Sequence, residues 1–142
     1  GMTEENQIME HTHPIRVYYE DTDSGGVVYY ANYLKFAERG RTELLRFLGF
    51  GNKSLGADHG VAFVVRHIEA DYFKPAVLED DLIVKTKVST LKNVSVIMDQ
   101  EIQRGAEILF AVRVTLACID VKTQKPVKFP VPLRDGLSNV LK

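Results

Sequence analysis

The sequence predicts an α+β fold in which a curved antiparallel sheet of about five strands wraps around one long central helix. Three observations lead there. One stretch, about Ala31 to Leu48, carries apolar residues at helical spacing. Four runs of β-forming residues follow it, joined by short turns, and short turns make antiparallel neighbours. A single helix cannot cover both faces of such a sheet. The sheet must therefore curl round it, and the face or edge left uncovered invites self-association.

The bulk properties set the frame. A length of 142 residues fits one domain, 1–142, with about 1–10 and 133–142 as terminal extensions. The chain is 45% hydrophobic and 26% charged, the balance of a soluble globular protein. A net charge of −1 gives no field that would gather nucleic acid or an anionic membrane. The single cysteine, Cys118, excludes an intrachain disulfide. No apolar run approaches membrane-span length and no signal pattern opens the chain. Gly1 ahead of Met2 reads as a cloning remnant, and a cytoplasmic location is expected.

The elements follow in order. Residues 1–10 are polar and expected to be loose. His11 to Glu20 has the composition of a strand, through Ile15, Val17, Tyr18 and Tyr19. Thr22 to Gly26 is a loop of turn formers. In the helix, Tyr30, Leu34, Ala37, Leu44, Leu45 and Leu48 share a stripe, and Glu38 can pair with Arg41. Gly49 and Gly51 supply the stop. Gly40 costs roughly 1 kcal/mol of helix propensity, which close packing on a sheet would justify. Asn52 to Gly60 reads as a connector. Strands are expected over Val61–Tyr72, Asp81–Leu91, Val94–Arg104 and Glu107–Val121. In Asp81–Leu91, Leu82, Val84, Thr86 and Val88 alternate with Asp81, Ile83, Lys85 and Lys87. Pro126, Pro130 and Pro132 then argue against regular structure, and the last ten residues form a short helix or a tail.

Asp21 and Asp23 stand just before Gly25-Gly26 and a few residues before the helix. A carboxylate near the positive end of a helix is placed for chemistry, because the first N–H groups have no intrahelical partner. From the residues alone, an Asx-turn is the better reading of Asp23. His11, His13, His59 and His67 are scattered and have no partner at metal-ligand spacing, so no metal is expected. Cys118, in an apolar strand, reads as a core residue. There is no G-x-S-x-G elbow and no phosphate loop.

The stretch YYEDTDSGGVVYYANYLKFAERGRTELLR resembles the hotdog-fold acyl-CoA thioesterases of the 4-hydroxybenzoyl-CoA thioesterase family, above all the branch associated with the bacterial Tol-Pal system. The segments FVVRHIEADYFKPAVLEDDLIV and FAVRVTLACID are similar to strands of the same family, so the resemblance runs from about Pro14 to Pro132. It implies a hotdog fold, dimers with sheets joined edge to edge, often tetramers, and hydrolysis of an acyl-CoA thioester. No metal or other cofactor is implied, since coenzyme A is part of the substrate. The branch also implies association with acyl carrier protein or Tol-Pal components of the cell envelope.

The resemblance reverses the reading of Asp23, making it the catalytic carboxylate, and leaves Asp21 structural. Tyr30 stands where the branch usually carries a His. What carries over to it is a backbone role, its N–H at the helix start polarising the thioester carbonyl. Tyr19 matches a Tyr of the branch that would bond the carboxylate or line the acyl pocket; a ring packed in the core is the plainer alternative. Gly26, Val27, Tyr29, Tyr33 and Phe63 are the expected substrate-binding residues. Lys92 matches a basic turn position for the coenzyme A phosphates, with Arg66 and Lys74 as further candidates. Glu38 is the second candidate for the catalytic carboxylate, matching the helix carboxylate of another hotdog branch. A hydratase or dehydratase on the same fold would need an Asp–His pair, and no His lies between Asp23 and the helix end. A non-catalytic thioester binder is the remaining alternative. The expected substrates are short-chain or aromatic acyl-CoAs.

Overall fold

The computed structural model describes residues 10–141, so most of the expected loose N-terminal segment lies outside the described residues. The chain forms β1 (His11–Arg16), a 3-10 turn (Tyr19–Asp21), α1 (Tyr30–Phe47), α2 (Asn52–His59), β2 (Val61–Tyr72), β3 (Asp81–Leu91), β4 (Ser95–Arg104), β5 (Glu107–Asp120) and α3 (Val131–Asn139). The strands make one antiparallel sheet in the order β1-β3-β4-β5-β2. This is the hotdog arrangement, an α+β fold with α1 packed on the inner face against β1, β3 and β4.

Burial follows the two periodicities. In β3 it is Leu82, Val84, Thr86 and Val88 that turn inward, and in β4 Val96, Met98, Gln100 and Ile102. Cys118 is buried in β5, and burial pushes its thiol up to about 11. The helix stripe is Tyr33, Phe36, Ala37, Gly40, Leu44 and Leu45. It shares Ala37, Leu44 and Leu45 with the expected one, but Tyr30 is exposed and Tyr33 and Phe36 take the interior. Gly40 meets the sheet: a Cβ there would lie 2.5 Å from Val84 Cγ1 and 3.1 Å from both Gln100 Nε2 and Thr86 Oγ1.

Three expectations need correction. The first strand ends at Arg16, not Glu20, because the Tyr18 N–H donates to Asp21 Oδ2 at 2.9 Å and the chain leaves the sheet. Asn52–His59 is a helix rather than a connector. Ser54 Oγ accepts from the Gly51 N–H at 3.1 Å, and Gly60 closes the other end with φ 64°. It buries only Leu55, so it shows no apolar stripe in sequence. A short helix does form near the C-terminus, one of the two expected alternatives, but it starts among the prolines rather than after them. Pro130 caps α3 and Pro132 lies in its first turn, where a missing N–H costs nothing. The expected Glu38–Arg41 pair is also absent among the described residues; Arg41 Nη1 turns inward and donates to Gln100 Oε1 at 3.0 Å.

Candidate active site

The acidic loop is a small hairpin. Thr22 bridges Val28, the Asp23 N–H donates to the Val27 carbonyl at 2.9 Å, and the Gly26 N–H donates back to the Asp23 carbonyl at 3.0 Å. The turn needs φ 80° at Gly26, a conformation open to glycine. The segment Ala76–Asp80 straps this hairpin down. Ala76 O accepts from the Val28 N–H at 3.0 Å, and the Leu78 N–H donates to Gly26 O at 3.1 Å. Asp80 is in turn held by Arg104, whose Nη1 donates to Asp80 Oδ2 at 2.7 Å.

The two loop carboxylates do different work. Asp21 is buried; its Oδ2 takes the Tyr18 N–H, and its carbonyl takes Asn32 Nδ2 at 2.8 Å and the Tyr29 N–H at 3.3 Å. It ties the 3-10 turn to the start of α1. Asp23 is exposed to a cleft. Its Oδ1 accepts from the Gly25 N–H at 2.9 Å and the Val27 N–H at 3.2 Å. The Asx-turn expected from the residues alone is therefore present. It spends only one carboxylate oxygen: among the described residues, Oδ2 has no hydrogen-bond partner.

The cleft is about 440 Å³ and is walled by Asp23, Val27, Tyr29, Tyr30, Tyr33 and Tyr72 among others. Tyr29 is the N-cap of α1 and Tyr30 its first helical residue. Among the described residues the N–H of Tyr30 donates to no backbone or side-chain acceptor, as expected for a first-turn amide. The cleft thus holds a carboxylate and a free helix-start amide. The Tyr30 ring is 72% exposed and meets Tyr72 edge to face, with centroids 5.0 Å apart. Tyr33 is the buried floor. Its hydroxyl accepts from the Ala76 N–H at 2.8 Å, its ring stacks on Phe110, and burial pushes its pKa up. Lys74 stands at the lip, paired with Glu107, and that contact with Lys74, with help from Arg104, holds the Glu107 carboxyl below its usual range.

The other site expectations fall elsewhere in the chain. Tyr19 is neither in the core nor in this cleft: it is 82% exposed on a separate depression with Arg16, Tyr18 and Glu79. The 3-10 turn points its side chain outward. Phe63 packs on Phe129, centroids 5.9 Å apart, in a different pocket beside Glu38 and Arg41. Lys92 sits in the β3–β4 turn, its carbonyl accepting from Arg134 Nη1 at 2.8 Å. Eleven residues of β3 separate that turn from the Asp80 segment that braces Asp23. Arg66 occupies the β2 bulge between Val65 and His67. Tyr72 and Phe73 also wall the cleft; their place near Tyr30 depends on β2–β5 pairing, for which the sequence has no local signal. Among the described residues no group of three or more His, Cys, Asp or Glu could hold a metal ion. No helix among them is long and apolar enough to cross a membrane.

The thioesterase-like superfamily matches residues 17–137 of this chain. The chain is 47% identical over 117 residues to the acyl-CoA thioesterase YbgC of Haemophilus influenzae, covering 82% of this chain and 86% of that one. It is 42% identical over 118 residues to the acyl-CoA thioester hydrolase YbgC of Escherichia coli O6:H1, covering 82% and 87%. Among solved structures, a probable thioesterase from Bartonella henselae superposes with a TM-score of 0.81 at 40% identity, over 85% of this chain and 99% of that one.

Proposed function

The chain belongs to the thioesterase-like superfamily, as a YbgC-like hotdog thioester hydrolase, and from that premise we propose that it hydrolyses short-chain or aromatic acyl-CoAs with Asp23 as its catalytic carboxylate. One observation carries the reading: Asp23, with one carboxylate oxygen spent on its own loop, and Tyr30, the first residue of α1, line one cleft. The Tyr30 N–H, at the positive end of α1, takes up the negative charge that grows on the thioester oxygen. The Asp23 carboxylate either adds to the carbonyl carbon or removes a proton from an attacking water. Either way the C–S bond breaks, the thiolate of coenzyme A leaves and takes a proton, and water supplies the new carboxylate oxygen. Fixing Oδ1 on two loop amides costs Asp23 its freedom beforehand and leaves Oδ2 unspent for the reaction.

The position that in relatives of this branch usually carries a His is here Tyr30, so the backbone does the polarising. Tyr33, Tyr72 and Phe73 form apolar walls that suit a short or aromatic acyl group. Lys74 is the cation of this cleft best placed for the coenzyme A phosphates. On this reading the protein works in the cytoplasm as a dimer or tetramer, with β2 as the joining edge, and associates with acyl carrier protein or Tol-Pal components of the cell envelope.

The test is release of free thiol from butyryl-CoA and benzoyl-CoA by wild type and Asp23→Asn. Wild type turns over at least one of them, and Asp23→Asn loses about a hundredfold or more in kcat with its fold unchanged. Equal activity in the two proteins would remove Asp23 from the mechanism. Activity on neither substrate would refute the substrate class. Labelled oxygen in a single turnover separates the two roles: label entering Asp23 itself marks the nucleophile.

A further inference from the structure

Arg41 has no role in the chemistry above, and its setting is unusual. It sits in the middle of α1, half-buried, with its guanidinium turned toward the sheet. Among the described residues it makes no salt bridge and one hydrogen bond, from Nη1 to Gln100 Oε1 at 3.0 Å. Gln100 is itself fixed: its Nε2 donates to the Ala37 carbonyl at 2.7 Å and to Thr86 Oγ1 at 2.9 Å. Burial pulls the Arg41 pKa down, and the nearby Glu38 carboxylate opposes this without cancelling it. A guanidinium offers five donors, and a desolvated one with most of them unspent favours a planar anion.

The space in front of Arg41 is a pocket of about 190 Å³ with apolar walls from Leu45, Phe63, Val65 and Leu116. Alkyl walls ending at a guanidinium suit a short chain that carries a carboxylate at its far end. Glu38 also borders the pocket and its charge reaches Arg41, but it is exposed and makes no salt bridge with the guanidinium among the described residues, so the guanidinium keeps donors for a ligand.

Within one chain this pocket is three helical turns from Tyr30, about 16 Å, too far for a short acyl group. A second copy removes the gap. β2 is the outer strand of the sheet, with apolar Val65 and Ile68 exposed along it. Two identical edges related by a twofold axis pair antiparallel. The start of one β2, with Phe63 and Val65, then lies beside the end of the other, with Tyr72 and Phe73. Such a pairing would bring the Arg41 pocket of one copy toward the Asp23 cleft of the other.

Resting on the thioesterase reading, we propose that Arg41 is a specificity residue that binds the distal carboxylate of an ω-carboxylated acyl-CoA held in the Asp23 cleft of a second copy. Glutaryl-CoA and pentanoyl-CoA have the same number of carbons and test this directly. Wild type hydrolyses glutaryl-CoA with a kcat/KM at least equal to that for pentanoyl-CoA. Arg41→Gln lowers the glutaryl-to-pentanoyl ratio about ten- to a hundredfold, chiefly through KM. Arg41→Lys, which keeps the charge, recovers part of that loss. Because each protein is compared with itself on two substrates, damage to folding lowers both rates and leaves the ratio alone. A ratio unchanged by Arg41→Gln, or a wild type that cleaves pentanoyl-CoA but not glutaryl-CoA, overturns the proposal and leaves the thioesterase reading standing. A wild type that cleaves neither overturns this proposal, while the thioesterase reading is decided separately by butyryl-CoA and benzoyl-CoA.

Discussion

At the scale of single residues, Tyr30 separates side-chain chemistry from backbone chemistry. Its ring is exposed and its N–H is free, so the two can be removed one at a time. Tyr30→Phe keeps the amide and the ring, and is expected to leave kcat within about threefold, since only a solvent-facing hydroxyl is lost. Tyr30→Pro deletes the N–H, and the fold should accept it. Proline suits the first position of a helix, and Tyr29 at φ −60° and ψ 143° already has the conformation that precedes proline. The expected loss for Tyr30→Pro is about a hundredfold to a thousandfold in kcat, the range for removing one oxyanion donor. Tyr30→Ala controls for the ring lost with it, and stopped-flow thiol release at saturating substrate is the measurement. A Tyr30→Pro protein as active as Tyr30→Ala would exclude the amide from catalysis. The turn of the site was legible in sequence because Asp, Ser and Gly act locally: Asp23 bonds residues two and four positions on. The direction of Tyr19 was not legible, because a strand and a 3-10 turn share Tyr-rich composition and only the Tyr18–Asp21 contact distinguishes them.

At the scale of elements, α1 shows why a glycine belongs in a buried helix. On an exposed helix Gly40→Ala would stabilise by about 1 kcal/mol. Here the new methyl would meet Val84 Cγ1 at 2.5 Å, with Gln100 and Thr86 close behind, and neither helix nor strand is free to retreat. Overpacking of this kind costs about 1–3 kcal/mol and offsets or exceeds the propensity gain, so a net loss of up to about 2 kcal/mol, rather than a gain, is expected by urea denaturation. Val84→Ala opens the space, and the double variant should therefore be less destabilised than the sum of the two singles. Additive losses would place the strain elsewhere. The place of α1 and of β3 could be read from the sequence because each carries its own period: Gly40 on the helix stripe, Leu82 to Val88 in alternation. The helix α2 buries one residue and α3 begins among prolines, so both depend on caps and docking rather than on pattern. Phe63 and Lys92 were matched to positions by order along the chain, and order alone does not say which pocket a strand faces.

At the scale of the whole molecule, the open edge of β2 is the feature the rest must accommodate. The sheet order leaves this strand last, 12 residues long, with Val65, Ile68, Tyr72 and Phe73 partly exposed. Such an edge is a template for pairing unless charge or proline blunts it. Proline stands on the opposite edge, at Pro14 in β1, whereas β2 has no proline and carries Arg66, Glu69 and Asp71 among its apolar residues. Ile68 lies in neither of the two pockets at the ends of the β2 seam, yet its neighbour across the sheet is the inward Val114. Ile68→Lys would therefore charge the proposed joining edge without touching the reacting groups. Wild type is expected to run as a dimer or larger species in light scattering after gel filtration, and Ile68→Lys as a monomer with native circular dichroism. If each cleft needs a second copy for its far wall, the monomer should lose about tenfold or more in kcat/KM. Wild-type activity should likewise fall on dilution through the dissociation range, while Ile68→Lys stays concentration-independent. A monomeric Ile68→Lys with wild-type kcat/KM would show that the Asp23 cleft is complete within one chain, and the Arg41 pocket would then need a ligand of its own.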